Sequence, residues 1–195
     1  MSDATTTADV DMAPMSTAST TEQAHHRVQQ CAAGRQVTAA EGERIVAAAA
    51  HWAGTPYSLI GNSSQRVAGG DCSGSTNKIY IAAGFPYTYQ ATSSFIGYAT
   101  STHRFVEITD GKKQPGDILW WPGHVAVYAE FAEADPNRTG KHTGPHGEYT
   151  TTNNIWTAFN GRTHENYGAF EYQKFRPGET PRVFRYFLHH GEPGC

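Results

Sequence analysis

The pattern of apolar and polar positions changes character about halfway along the chain. Up to residue 84, helix formers between capping residues predict helices over 38–54 and 72–83, and a shorter helix over 20–34. From about residue 105, short alternating or apolar runs predict β-strands instead. These runs are RFVEIT (104–109), QPGDILWWPGHVAVYAEF (114–131, two strands joined at Pro122–Gly123), NNIWTAFNG (153–161) and PRVFRYFL (181–188). Because helices precede strands and do not alternate with them, we predict an α+β domain with N-terminal helices packed on an antiparallel β-sheet.

Polar capping residues set where the two longer helices begin. Thr38 and Glu41 have the spacing of a capping box, in which each side chain bonds the backbone amide of the other residue. Asp71 is a favoured N-cap residue directly before the second helix, and Gly84 ends that helix. Cys72 is therefore predicted to lie in the first turn of a helix.

The distribution of polar segments suggests one domain behind a leader. Residues 1–37 are predicted to form a flexible leader with a short helix, because the first 20 residues offer almost nothing to bury. Residues 38–195 suffice for one domain and are too few for two full ones. Two polar segments, 132–151 and 161–180, are interpreted as loops that either form the walls of a binding cleft or decorate the surface.

Composition and charge exclude several classes of protein. An aromatic content of 12% is too high for a disordered chain, and a net charge of -3 provides no basic face for nucleic acid or anionic membranes. No apolar run approaches the roughly 18 residues of a membrane span, and the N-terminus lacks the basic and apolar regions of a signal peptide. We therefore predict no nucleic-acid binding, no membrane insertion and no ordinary signal-directed export.

Cys72 is placed where a cysteine can become a nucleophile. The unpaired amides and the dipole at a helix N-terminus stabilise a thiolate. His124 is the best candidate for its base, because it follows a Pro-Gly turn and opens an apolar strand where packing does not explain a polar side chain. Each residue also has an ordinary interpretation, the cysteine as a small buried hydrophobic residue and the histidine as a solvated turn residue.

Three segments stand out when taken together. They are GTPYSLIG (54–61), DCSGSTNKIYIAAG (71–84) and PGDILWWPGHVAVY (115–128). In order and spacing they resemble the NlpC-type cell-wall cysteine peptidases, a papain-like group, and the resemblance covers roughly residues 40–161. It implies a papain-like fold with Cys72 as the nucleophile and His124 as general base and later acid. It also implies that Tyr57 helps to hold the oxyanion, and a buried aromatic residue after the helix is the alternative for this tyrosine.

The third catalytic position of that family is a polar residue, usually histidine, on the strand after GHVAVY, where it orients the imidazole. The corresponding strand here, NNIWTAFNG, contains no histidine. Thr157 occupies the matching position and is the first choice. The other candidates are Asn154, Asn160, His142 and His146. Neither threonine nor asparagine carries the negative charge with which a carboxylate would stabilise an imidazolium.

The ten histidines raise the question of a metal site, and the sequence argues against one. His142 and His146 are four residues apart in HTGPH, where glycine and proline block the helix that such spacing requires, and HExxH is absent. We predict no metal and no cofactor. The two remaining thiols, Cys31 and Cys195, either pair as a disulfide or stay free, with free thiols as the default.

The resemblance implies a peptidoglycan hydrolase that cleaves amide bonds in the peptide stem or the cross-link. Without a signal peptide or a wall-binding repeat, the chain suggests an antibacterial toxin made in the cytoplasm and delivered to the periplasm by an apparatus such as type VI secretion, with a cognate immunity protein as partner. We expect a monomer. The alternatives are a non-catalytic wall-binding or interaction module, and a papain-like acyltransferase, which the lack of a membrane-anchoring stretch disfavours.

Overall fold

The computed structural model describes residues 31–144, 147–159 and 166–195. Its helices are α1 (Ala39–Ala50), α2 (Cys72–Ala82), α3 (Thr92–Thr102) and α4 (Tyr172–Phe175), and Gly61–Ser63 form a 3-10 turn. Its strands are β1 (Arg35–Gln36), β2 (Phe105–Glu107), β3 (Ile118–Trp121), β4 (His124–Tyr128), β5 (Thr139–Gly144), β6 (Gly147–Thr152), β7 (Ile155–Thr157), β8 (Gly168–Phe170) and β9 (Arg182–Leu188). This mixture of helices and antiparallel strands confirms the predicted α+β class.

Most of the strands join one antiparallel sheet. Within the described part of the chain, its order is β1-β9-β3-β4-β7-β8, and β2 pairs with β9 as well. Strands β5 and β6 form a separate hairpin. Strand β4 lies inside the sheet, between β3 and β7, so its first residue is held close to the neighbouring strands.

Both faces of the central strands are buried. Ile118 of β3 belongs to a core that also contains Ile45 of α1 and Ile79 of α2. The next residue, Leu119, belongs to a second core on the opposite face, against which Phe175 of α4 packs. Helices α1 and α2 thus cover one face as predicted, and α4 covers part of the other. Burial on both faces explains why these strands appear in the sequence as nearly continuous apolar runs.

Regular structure also occurs where the sequence predicts none. Helix α3 has no side-chain cap at its first turn, and it buries only Phe95 and Ala99, which leaves a weak apolar pattern. The segments interpreted as loops, 132–151 and 161–180, contain the β5–β6 hairpin and the pair β8 and α4. The interpretation of these segments as loops throughout was wrong. Strand β6 is exposed at all but one residue, so its sequence lacks the alternation of apolar and polar residues that predicts a strand.

The sheet begins before residue 38. Arg35 and Gln36 pair with β9, and Val37 is buried. Cys31 and Ala32 are helical and form the described end of the helix predicted over 20–34. Residues 1–30, which include most of the predicted leader, lie outside the described residues, as do Asn160 and His146.

Helix α1 begins at the predicted capping box and packs closely on the turn before β3. The Thr38 amide donates to Glu41 Oε2 at 2.8 Å, and the Glu41 amide donates to Thr38 Oγ1 at 3.3 Å. One turn into the helix, a Cβ atom on Gly42 would lie 1.8 Å from the carbonyl oxygen of Pro115. Only glycine allows the helix to approach this turn so closely.

We predict that Gly42→Ala lowers the free energy of unfolding by about 2–3 kcal/mol, because the new methyl group forces α1 away from the turn. Gly97→Ala is the matched control, since Gly97 also lies in a helix and a Cβ atom there would have no neighbour within 4 Å. We expect the control to raise stability by up to about 1 kcal/mol through helix propensity. Urea unfolding measures both variants, and equal stabilities would contradict the packing described here.

Candidate active site

Cys72 is the first residue of α2, and Asp71 sets that position. The Asp71 carboxylate accepts hydrogen bonds from the Gly74 amide at 2.8 Å and from the Ser73 hydroxyl at 2.9 Å. It also accepts one from the amide of Gly61, which ties the 3-10 turn to the start of the helix. The interpretation of Asp71 as a helix cap is therefore confirmed.

The environment of the Cys72 thiol favours its neutral form. Burial raises the pKa of the thiol most, and the negative charge of Asp71 adds to the effect. Hydrogen bonds from the backbone amides of Val125 and Ser73 act in the opposite direction, and the net result is a pKa of about 11. Val125 is the second residue of β4, directly after His124, and both Cys72 and His124 line the same cleft.

His124 is oriented by Thr157. Its Nε2 lies 2.6 Å from Thr157 Oγ1, and the same hydroxyl donates to the carbonyl oxygen of Val125 at 3.3 Å. A hydroxyl that donates its one hydrogen to Val125 can serve Nε2 only as an acceptor, and this hydrogen-bond network assigns the Nε2–H tautomer to the histidine. The imidazole therefore keeps its lone pair on Nδ1, the atom that can act as a base.

The imidazole is neutral in this environment. Burial lowers the pKa of His124 to about 3, and the positive charge of Arg176 contributes in the same direction. Together with the raised pKa of Cys72, this gives a resting pair of a neutral thiol and a neutral imidazole. These surroundings do not favour a preformed thiolate–imidazolium pair.

The other candidates for the third position lie elsewhere or outside the described residues. The Asn154 side chain accepts from the Tyr172 amide at 2.8 Å and donates to Gln173 at 2.9 Å, so it holds α4 against β7. The His142 ring lies in the β5–β6 hairpin, with its centroid 4.2 Å from that of Phe170. Asn160 and His146 are not described. Thr157 is the candidate that the structure brings to His124.

Tyr57 lies beside Cys72 in the same cleft. It is half-buried, and its backbone forms a bridge with Gly70, just before the helix that carries the cysteine. Burial raises the pKa of the phenol, and the neighbouring Cys72 and Asp71 add to that shift. The hydroxyl therefore stays protonated near neutral pH, so it can donate a hydrogen bond to a developing oxyanion.

A cleft of about 1190 Å³ joins these side chains. Cys72, His124 and Tyr57 line it, and both segments that the sequence analysis proposed as cleft walls contribute to it. The first provides Tyr149 of the hairpin, and the second provides Lys174 and Phe175 of α4. These segments are therefore cleft walls and not only surface decoration.

The contribution of α4 to the cleft wall was not predicted from the sequence. The ring of Phe175 packs on the His124 imidazole with 4.6 Å between centroids, and Lys174 and Arg176 line the cleft on the same side. The signal available in the sequence was the aromatic spacing of Phe170, Tyr172 and Phe175, which suits a short packed element better than a polar loop.

Neither a metal cluster nor a membrane helix is found within the described ranges. No group of three or more His, Cys, Asp or Glu side chains there is arranged to hold a metal ion. None of the helices in this part of the chain has the length and apolar character needed to cross a bilayer.

Comparison with known proteins does not assign the chain to a family. No family model matches it, and no curated protein matches it significantly. The residues and their geometry are therefore the basis for any functional conclusion.

We predict that Thr157→Val slows alkylation of Cys72 by iodoacetamide at least about tenfold at neutral pH, because the imidazole loses the acceptor that fixes its tautomer. Thr157→Ser is the control, since it keeps the hydroxyl and should react at close to the wild-type rate. Mass spectrometry of the Cys72 peptide measures the rate, and nitrogen-15 NMR of His124 reports the tautomer. A valine variant with wild-type reactivity and the Nε2–H tautomer would show that Thr157 does not orient the base.

Proposed function

We propose that the protein is a papain-like cysteine hydrolase of the NlpC type that cleaves amide bonds in the peptide stem or cross-link of peptidoglycan. One observation carries the proposal: Cys72 at a helix start and a His124 imidazole oriented by Thr157 line the same cleft. Two further features support the papain-like assignment. The helix that carries the cysteine packs on the strand that begins with the histidine, and the order of the motifs matches that of the family.

The neutral pair defines the first chemical step. As the Cys72 sulfur attacks a substrate carbonyl carbon, its proton passes to Nδ1 of His124, and the resulting imidazolium exists only alongside the negatively charged intermediate. In this mechanism the Cys72 amide and the Tyr57 hydroxyl donate hydrogen bonds to the oxyanion. His124 then gives the proton to the leaving amine, and water releases the acyl group from the sulfur by the same route in reverse.

The hydroxyl of Thr157 suits this sequence of steps. It fixes the tautomer without adding charge, so the imidazolium is stabilised mainly by its negatively charged partner in the transition state. A carboxylate at this position would stabilise the imidazolium in the resting enzyme as well. The low pKa of His124 is consistent with this difference.

The shape and charge of the cleft support a peptide substrate with free carboxylates. The volume of about 1190 Å³ exceeds that of an ordinary small-molecule pocket and accommodates a branched peptide. Lys174 and Arg176 place two cationic groups on one wall. Peptidoglycan stems carry carboxylates on γ-linked glutamate, on diamino acids and at the terminal D-alanine.

Delivery and partners are further parts of the proposal. We propose that the protein acts in the periplasm as an antibacterial toxin, that it works as a monomer, and that a cognate immunity protein neutralises it in the producing cell. These proposals follow from the implied substrate, because a peptidoglycan hydrolase must reach the wall to act. Toxicity in a susceptible cell on periplasmic targeting, absent for Cys72→Ala, is the observation that would support them.

We predict that the purified protein releases new muropeptides from peptidoglycan and that Cys72→Ala lowers the rate at least about a thousandfold, because the nucleophile is lost. Cys31→Ser is the matched control and should retain wild-type activity, since Cys31 lies outside the cleft lining. Liquid chromatography with mass spectrometry identifies the fragments and hence the bond cleaved. No Cys72-dependent fragments from several wall types would favour the acyltransferase or the binding module.

A further inference from the structure

The two cysteines that the mechanism does not use lie against each other. The Sγ atom of Cys195 is 3.4 Å from the carbonyl oxygen of Cys31, and the Sγ atom of Cys31 is 3.9 Å from the carbonyl oxygen of Gly194. Desolvation and the neighbouring Cys31 side chain raise the pKa of Cys195 to about 11. Both residues are only partly buried, so reagents in solution can reach them.

Contacts away from the sulfur atoms hold the two segments together. Pairing of β1 with β9 brings the chain ends of the described domain side by side. Arg35 Nη2 then donates to the carbonyl oxygen of Gly194 at 2.6 Å, and Nδ1 of His190 lies 3.0 Å from the carbonyl oxygen of Cys31. The fold therefore positions the thiols before any bond forms between them.

We propose that Cys31 and Cys195 form a disulfide when the protein enters an oxidising compartment. The oxidant is a disulfide of a small thiol or of another protein. A thiolate of the pair attacks it and releases one thiolate, and the resulting mixed disulfide is attacked by the second cysteine, which releases the other. Two protons leave the cysteines, the oxidant is reduced to two thiols, and one intramolecular disulfide results.

The third cysteine stays out of this reaction. Cys72 is buried in the cleft, and it has no cysteine neighbour among the described residues. A bond between Cys31 and Cys195 closes a loop that contains nearly all of the described domain. In the chain-entropy account, long loops give the largest stabilisation because they restrict the unfolded chain most.

The test is oxidation of the full chain with oxidised glutathione, followed by denaturation and alkylation of the remaining thiols. We expect alkylated cysteines to fall from three to one, with Cys72 as the survivor, and a peptide that links Cys31 to Cys195 in the digest. The melting temperature should rise by about 5–10 °C over the reduced protein. Cys195→Ser changes the last residue and should show neither the linked peptide nor the rise.

Two outcomes would overturn the disulfide. One is three alkylated cysteines, or stable glutathione adducts on Cys31 and Cys195, after oxidation of a folded protein. The other is a linked peptide that contains Cys72. The Cys72→Ser variant distinguishes the two pairings. A bond between Cys31 and Cys195 should still form in this variant and leave no free thiol, whereas a bond to Cys72 cannot form.

A second, independent observation concerns the cleft wall beside His124. Arg176 follows Phe175, whose ring packs on the imidazole, and its side chain lines the cleft. Among the described residues, the one hydrogen bond of this guanidinium is to Glu179 Oε2 at 3.2 Å, and both side chains are partly exposed. Exposed pairs of this kind are weak, so a ligand carboxylate can compete with Glu179 for the guanidinium.

The neighbouring lysine is more fully engaged. Lys174 Nζ donates to the carbonyl oxygen of Thr150 at 2.8 Å and lies 3.3 Å from Glu171. Arg176 is therefore the cation of this wall with the most unused donors. It also lies on the histidine side of the cleft, where the leaving amine must receive its proton.

Resting on the proposed function, the geometry points to Arg176 as a specificity residue that binds a free carboxylate on the leaving-group half of the substrate. The ligand class is thus an amide whose leaving residue carries an ionised carboxylate. The matched control ligand is the same amide with this carboxylate converted to a carboxamide, which removes the negative charge and changes little else.

The test measures binding in the Cys72→Ala background, so that it does not depend on turnover. Calorimetry compares two muropeptides, one with a carboxylate and one with a carboxamide on the leaving residue. Arg176→Gln should weaken binding of the carboxylate form about tenfold or more and leave the carboxamide form unchanged. Arg66→Gln, outside this cleft, should change neither. Glu179→Gln removes the competing carboxylate and should tighten binding by up to about fivefold.

The outcomes separate this proposal from the proposed function. If wild-type protein gives Cys72-dependent fragments but Arg176→Gln binds both muropeptides like its parent, the carboxylate subsite is wrong and the hydrolase stands. If no fragments form and neither muropeptide binds, both are wrong.

Discussion

The packing of helix α2 against strand β4 is the contact on which the candidate site depends. It brings the start of the helix and the start of the strand to the same cleft, where the backbone of Val125 lowers the pKa of the Cys72 thiol. The start of the same helix is also held by the 3-10 turn. A Cβ atom on Gly74 would lie 2.0 Å from the carbonyl oxygen of Gly61, so glycine is required there. Asp71 ties this turn to the helix start through its bonds to the amides of Gly74 and Gly61.

Burial has opposite effects on the two groups at this junction, and the consequence is a neutral pair. It raises the pKa of the cysteine and lowers that of the histidine, because a low dielectric disfavours either charge. In the proposed mechanism, the ion pair would form only when a substrate oxyanion is present. Arg176 contributes to the low pKa of the imidazole, and a carboxylate bound to Arg176 would partly cancel this effect. Such a ligand would couple substrate binding to activation of the base through this one side chain.

Strand β9 connects the site to the rest of the domain. It pairs with β3, which precedes the histidine strand, and with β1 and β2. The buried carboxylate of Asp117 accepts two hydrogen bonds of 2.9 Å from Arg185 of β9 and so fixes the turn before β3. The same strand leads to the C-terminal cysteine. A disulfide between Cys31 and Cys195 would therefore brace the strand order that supports β3 and β4.

The sequence by itself determined the local features. Capping residues set the starts of α1 and α2, apolar runs located β3, β4, β7 and β9, and motif order singled out Cys72, His124 and Thr157. These signals are short-range, since caps and strand periodicity act within a few residues. Tertiary structure decided the rest: the helix α3, the hairpin β5–β6, and the position of α4 beside the imidazole. Phe95 of α3 packs on Phe184 of β9 and Phe175 of α4 packs on His124, so both helices are stabilised by distant segments. The hairpin is paired locally, but its exposed strand β6 gives no strand signal in the sequence. Helix α4 lies beside the imidazole only because the preceding strand β8 pairs with β7, which no local pattern predicts.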